Sequence, residues 1–106
     1  MGSGNLAPCG TFPNCVRDRL PLFSEKALDE IETFFQKNYR AKTVVKRDNY
    51  LHIVISTPVL RFKDDVEFVI EDGKIDARSA ARVGYYDFGV NQGRLEKLKK
   101  NLSVGR

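Results

Sequence analysis

Residues 65–79 read DVEFVIEDGKIDARS, and this stretch decides the fold. Apolar and polar side chains alternate on both sides of Asp72-Gly73, a pattern typical of two antiparallel strands joined by a two-residue turn. A turn of that length sets Glu71 opposite Lys74, and it therefore sets Glu67 opposite Arg78. We predict a β-hairpin with one apolar face, formed by Phe68, Ile70, Ile75 and Ala77.

A second hairpin is predicted upstream, where Asp48-Asn49 separates two β-rich stretches at residues 42–47 and 50–57. An uninterrupted ladder on this turn sets Val44 opposite Ile53 and Val45 opposite His52. Because no helical pattern lies between the two hairpins, their four strands form an antiparallel meander.

Two amphipathic helices flank this meander. The first is predicted from Glu25 to Asn38 with Ser24 as N-cap, and the second from about Gln92 to Leu102 with Asn91 as N-cap. Both are expected to bury their apolar stripes on one side of the sheet. The fold class is therefore α+β, with element order α-β-β-β-β-α in two layers.

Length and composition are those of one small globular domain. The chain has 106 residues, of which 42% are hydrophobic, and a formal net charge of +4. Residues 1–4 have the composition of an expression scar, and residues 5–106 are expected to form the single domain. No apolar run approaches the ~20 residues of a membrane span. Basic residues alternate with acidic ones along most of the chain, so nucleic acid is an unlikely partner.

The N-terminal residues 5–23 lack periodicity, contain three prolines and are expected to form an irregular arm. The arm carries both cysteines of the chain, Cys9 and Cys15. Three interpretations stay open: a disulfide, two free thiols, or a metal or redox pair. The turn-forming residues between the cysteines favour the disulfide, and no second cysteine pair is present to complete a zinc site.

Residues 78–91 concentrate arginines, aromatic residues and glycines between the last strand and the last helix. Guanidinium groups bind carboxylates and phosphates through paired donors, so Arg78, Arg82 and Tyr85 are candidates for an anion pocket. The alternative is structural, because Asp65, Glu67 and Asp87 are near enough in sequence to neutralise the arginines. We favour the structural interpretation for the arginine–carboxylate pairs.

Three carboxylates, Asp64, Asp65 and Glu67, lie within four positions of one another. They contain the oxygen ligands that divalent cations prefer, but the spacing is not that of an EF-hand and few other ligands are obvious. Solvated or arginine-paired acids are the simpler interpretation, so no metal and no cofactor are predicted. His52 is the single histidine of the chain, and no catalytic set is recognisable around it.

Four sequence blocks together resemble a known family. They are CGTFPNCV at 9–16, YLH at 50–52, LRFKDDVEF at 60–68, and residues 78–91 followed by Arg94. In this order they resemble domain-of-unknown-function family 1499 (DUF1499). The chain departs from the family pattern at Gly10, Arg17, Asp18, Ala81, Gln92 and Gly93. Near the predicted pocket these departures remove a hydroxyl group and positive charge.

The resemblance implies a cellular compartment for the domain but no biochemical activity. The family has no established activity, and many members carry a leader, a lipid anchor or a membrane segment, which implies an extracytoplasmic or lumenal domain with a Cys9–Cys15 disulfide. We therefore expect a non-enzymatic binding or scaffold domain that acts on a protein partner or a small anionic ligand. Its binding face would comprise Arg78, Arg82, Tyr85, Asp87, Asn91 and Arg94. The alternative is an enzyme that orients an anionic substrate with Arg78 and Arg82 and uses Asp65 or Asp87 as the acid or base.

Overall fold

A computed structural model describes residues 6–9, 15–56, 62–82 and 90–104 of the chain, without the side chains of 90–92 and 102–104. Five strands and two helices occur in the order β-α-β-β-β-β-α. They are β1 Cys15–Pro21, α1 Ala27–Asn38, β2 Arg40–Arg47, β3 Tyr50–Ser56, β4 Lys63–Glu71, β5 Lys74–Ala81 and α2 Val90–Val104. The α+β class is confirmed.

The sheet has five antiparallel strands in the order β1-β5-β4-β3-β2, so the predicted count of four is wrong. The additional strand is β1, which lies in the part of the chain expected to be an irregular arm and pairs with β5 from Cys15↔Ala80 to Pro21↔Lys74. The sequence predicts α1 as the first element, and this prediction is wrong. Helix α1 follows β1 and connects it to β2. Strands β2 to β5 form the predicted meander.

The pattern of β1 explains why the sequence alone does not reveal it. Its seven residues, CVRDRLP, place a charged residue on each face of the strand and end in a proline. Only Leu20 is fully buried, at 3% exposure, and Val16 packs against the core from the same face. The strand forms because β5 offers it a free edge, and Pro21 is tolerated at the end of an edge strand.

One hydrophobic core lies between the helices and a single face of the sheet. It takes all five apolar residues of the predicted α1 stripe, Ala27, Leu28, Ile31, Phe34 and Phe35. Leu95 and Leu98 contribute from α2, and alternate residues of the strands complete it, including Leu51, Ile53, Ile55, Val66, Phe68, Ile75 and Ala77. We call the opposite side of the sheet, which points away from the helices, the outer face.

The two hairpins differ in how well their turns predict their register. In β4–β5 the pairs Glu71↔Lys74 and Glu67↔Arg78 are confirmed. In β2–β3 Val45↔His52 is confirmed, but Ile53 pairs with Thr43 because the ladder has a bulge between Thr43 and Val45. Val44 is the extra residue and is 51% exposed, so its predicted pairing with Ile53 is wrong.

Both helices begin away from their predicted caps. Helix α1 starts at Ala27, and Lys26 occupies its N-cap position without a side-chain capping bond. Ser24 instead stabilises the preceding turn: its hydroxyl accepts a hydrogen bond from the Lys26 backbone N–H at 2.9 Å and donates one to Glu30. Helix α2 starts at Val90, which places Asn91 inside the helix.

Candidate functional site

Adjacent carboxylates at the start of β4 point to opposite sides of the sheet. Residues alternate between the faces of a strand, so Asp64 lies on the side of the helices and Asp65 lies on the outer face. Each forms an ion pair with a different arginine. Among the described residues, no group of three or more His, Cys, Asp or Glu side chains could hold a metal ion.

On the helix side, Asp64 binds Arg94 of α2 at 2.6 Å between Oδ2 and Nη1. Their side chains are only 6% and 5% exposed. The Arg94 guanidinium also lies over the ring of Tyr39, 5.7 Å from its centroid. Arg94 therefore joins α2 to the sheet in the interior, and it lies on the other side of the sheet from Arg78 and Arg82, with which the sequence had grouped it.

On the outer face, Asp65 is held by two partners from neighbouring strands. Arg82 donates from Nε to Oδ2 at 2.8 Å and from Nη2 to Oδ1 at 2.9 Å. The Nε2 atom of His52 lies 2.8 Å from Oδ1. The Arg82 hydrogen bonds are the largest cause that holds the pKa of Asp65 below its usual range; burial opposes them and His52 reinforces them.

A second polar group lies next to this one on the outer face. The Tyr50 hydroxyl donates a hydrogen bond to Glu67. The pKa of Tyr50 is raised, mainly by burial and secondly by this carboxylate. The Nη1 atom of Arg78 lies 3.7 Å from Glu67 Oε1, a distance near the upper limit for an ion pair. Arg78 Nε is buried and has no hydrogen-bond partner among the described residues.

Of the residues predicted for the binding face, Arg78 and Arg82 are brought to the same side of β5 and its end. Residues 78, 80 and 82 lie on the same face because side chains alternate along a strand. Arg78 and Arg82 therefore both point outward. Tyr85 and Asp87 lie outside the described residues, as does the side chain of Asn91. The predicted pairing of Asp65 and Glu67 with arginines is observed, as Asp65–Arg82 and Glu67–Arg78.

The end of the outer face carries a row of basic residues that the sequence did not single out. Arg40 of β2 pairs with Ser56, and Ser56 pairs with Lys63 of β4. The backbone N–H of Arg82 donates to the Lys63 carbonyl at 3.0 Å, so Arg82 continues the row. Lys42 lies one pleat further in, opposite Val54.

These cations line an open groove of about 770 Å³ at the strand ends, which we call the basic groove. The residues that line it are Arg40, Ala41, Lys42, Thr43, Val44, Val54, Ser56, Lys63 and Arg82. Four of the nine carry a positive charge and none carries a negative one. Two described carboxylates border the groove without lining it: Asp65 is bound by Arg82 and His52, and Glu32 accepts a hydrogen bond from the Thr43 hydroxyl. Among the described residues, no carboxylate forms an ion pair with Arg40, Lys42 or Lys63.

The other notable feature of the outer face is a covalent link at β1. Cys9 and Cys15 form a disulfide with their Cα atoms 5.5 Å apart, which confirms the interpretation favoured from the sequence. The residues that precede Cys9 are held by Arg17, whose Nη1 donates to the carbonyls of Leu6 and Ala7, each at 3.3 Å. Leu6 is buried at 7% exposure.

Comparison with protein-family profiles matches residues 5–102 to a family described as "Protein of unknown function (DUF1499)". The chain belongs to the DUF1499 family. The resemblance inferred from the four sequence blocks is thus confirmed. In this DUF1499 chain the matched residues span all five strands and most of α2. No curated protein and no solved structure matches the chain.

None of the described helices of this DUF1499 chain is both long and apolar enough to cross a membrane.

Proposed function

We propose that this DUF1499 chain is a non-enzymatic binding domain that holds a small anionic ligand in the basic groove. The observation that carries the proposal is the composition of that groove, which is lined by four cationic side chains and by no carboxylate. Grouped cations repel one another, and anionic groups bound beside them relieve this repulsion. Arg40 adds planar, paired donors that match carboxylate and phosphate oxygens, and Arg82 retains the guanidinium donors that Asp65 does not occupy.

Protection of a sheet edge explains only part of this arrangement. Lysine and arginine often lie on edge strands, where they discourage pairing with other chains, and β2 is an edge strand. That reason suffices for Arg40 and Lys42. It does not apply to Lys63, because β4 lies in the interior of the sheet, nor to Arg82, which follows β5. The cations of inner and edge strands converge on one groove, which favours a ligand.

The enzymatic alternative is less well supported by the same site. A general acid at neutral pH needs a carboxyl group of raised pKa, whereas the pKa of Asp65 is lowered by Arg82. Both oxygens of Asp65 are occupied by hydrogen bonds from within the chain. Asp65 therefore serves to orient Arg82 at the groove, which is a role in binding.

We further propose an extracytoplasmic or lumenal setting for this domain. What supports it is the Cys9–Cys15 disulfide, because such bonds persist mainly in oxidising compartments. A protein partner on the outer face is compatible with this setting, and it would be recognised through an acidic surface that complements the basic groove.

Titration of the protein with inorganic phosphate, followed by backbone amide NMR shifts, tests the binding function. Saturable shifts are expected at Arg40, Ser56, Lys63 and Arg82. Arg82→Ala should weaken the apparent Kd at least about tenfold, since it removes charge-assisted hydrogen bonds. The apparent Kd of Arg82→Lys should lie between those of the wild-type protein and Arg82→Ala, because lysine retains the charge and loses the paired donors.

The matched control is Lys100→Ala, which removes the same charge from an exposed position on α2. It should leave the phosphate titration unchanged. If Arg82→Ala loses the dispersed spectrum of a folded protein, Lys63→Ala replaces it, because Lys63 is exposed and forms no ion pair with a described residue. Shifts that spread over the whole surface without saturating, or that persist in both groove variants, would overturn the proposal.

A further inference from the structure

The four cations of the basic groove form two pairs on either side of a neutral strand. Lys63 and Arg82 are neighbours in the row, joined by the hydrogen bond between their backbones, and we call them the inner pair. Arg40 and Lys42 project from β2 on the same side of the sheet, and we call them the edge pair. Between the pairs β3 contributes only Ser56 and Val54.

We propose that the ligand carries two anionic groups about 10 Å apart, one bound by each pair, since two strand spacings of about 4.8 Å separate β2 from β4. This inference rests on the proposed function and specifies its ligand class. Where the side chains stand upright on their strands, a single phosphate or carboxylate contacts one pair only. The groove volume of about 770 Å³ falls in the range of pockets that hold metabolite-sized ligands.

The floor of the groove specifies what connects the two anionic groups. Val54 and Ser56 lie between the pairs on the outer face, and Val44 of β2 borders the groove, so the surface available to a linker is aliphatic or small. Val44 is 51% exposed because the bulge in β2 turns it outward. A short aliphatic or otherwise weakly polar linker packs on such a surface, and Ser56 offers one hydroxyl to it.

The charge balance of the site agrees with a ligand of two negative charges or more. The groove holds four cations, and Asp65 offsets one of them through its ion pair with Arg82. The remaining excess is concentrated at Arg40, Lys42 and Lys63. No aromatic side chain is among the described residues that line the groove, so it lacks the stacking surface typical of nucleic-acid binding.

A series of linear alkane bisphosphonates of increasing chain length tests this inference, with methylphosphonate as the single-anion reference. Beyond the shortest members the two phosphonates ionise nearly independently and the charge is nearly constant, and added apolar surface would change affinity steadily with length, so an optimum reports the distance between the two anion sites. The dissociation constant, measured by calorimetry or NMR titration, should pass through a minimum at the length that spans both pairs. At that minimum, binding should be at least about tenfold tighter than for methylphosphonate, because the second contact is intramolecular.

The double variant Arg40→Ala/Lys42→Ala removes the edge pair and should abolish the dependence on chain length, while methylphosphonate still binds the inner pair. Lys100→Ala should retain the full dependence. If wild-type protein binds methylphosphonate but shows no optimum of length, the two-anion ligand is refuted and the proposed function stands. If no member of the series binds, both are refuted.

A second arm distinguishes a soluble ligand from lipid headgroups, which present phosphates of the same chemistry. Wild-type protein is sedimented with phosphatidylcholine vesicles that contain phosphatidylglycerol, and the edge-pair variant is compared with Lys100→Ala. Retention that only the edge-pair variant loses assigns the anionic groups to neighbouring lipid headgroups. No retention, together with an optimum in the bisphosphonate series, assigns them to one soluble molecule.

Discussion

Each face of the sheet carries an ion pair between an aspartate and an arginine, and the two pairs differ in burial. On the helix side, Asp64 and Arg94 are almost completely buried and bind helix α2 to the sheet. On the outer face, Asp65 is 22% and Arg82 46% exposed, and the arginine remains at the rim of the basic groove. One carboxylate thus contributes to architecture and its neighbour orients a side chain in reach of solvent. Burial, and not residue type, separates a structural ion pair from a candidate binding site.

Asparagine at each carboxylate tests this difference, and Asp64→Asn should have the largest effect of the changes considered. Removing one partner of a buried ion pair costs about 3–5 kcal/mol, because the other charge stays in a medium of low polarity. Asp65→Asn should cost much less, since water reaches Arg82. The measurement is the free energy of unfolding from urea titrations at neutral pH. Equal losses in the two variants would contradict the comparison.

The disulfide on the outer face should have an effect of intermediate size. Replacing both Cys9 and Cys15 by serine removes a short covalent loop, which on the chain-entropy model lowers the free energy of unfolding by about 2 kcal/mol. Unfolding of the wild-type chain with and without reductant should show the same difference. A reductant that destabilises the double variant as much as the wild type would show that the loss has another origin.

The bulge in β2 should make Val44 nearly indifferent to substitution, which is the smallest effect expected. Because Val44 is 51% exposed, Val44→Lys should change the free energy of unfolding by no more than about 0.5 kcal/mol. Ile53→Ala, in the core on the neighbouring strand, serves as the contrast and should cost about 2–5 kcal/mol. If Val44→Lys is as costly as Ile53→Ala, Val44 faces the core and the ladder has no bulge.

Local patterns were sufficient for the β4–β5 hairpin, the buried face of α1 and the disulfide. The Asp72-Gly73 turn specified the register of β4–β5, including Glu67 opposite Arg78. The apolar spacing of α1 identified its buried face correctly. The disulfide followed from two cysteines in a turn-rich segment.

The sequence did not predict the basic groove, because the side of the sheet on which Lys42 and Arg40 lie depends on the bulge in β2. Without the bulge, the Asp48-Asn49 turn would set Lys42 opposite Ile55 and turn it toward the core side. The bulge shifts the ladder by one residue, so Lys42 pairs with Val54 and points outward together with Arg40. No pattern in the eight residues of β2 marks the position of that extra residue.

The sequence by itself determined the α+β class, the four-strand meander, the main core residues and the family of this protein, because these depend on periodicity, turn chemistry and local motifs. Tertiary structure alone decided three further matters: that β1 joins the sheet, that Asp64 and Asp65 serve opposite faces, and that four cations from three parts of the chain converge. Each depends on partners distant in sequence, whose approach is governed by the burial of one shared core. The candidate site is therefore a product of the assembled sheet.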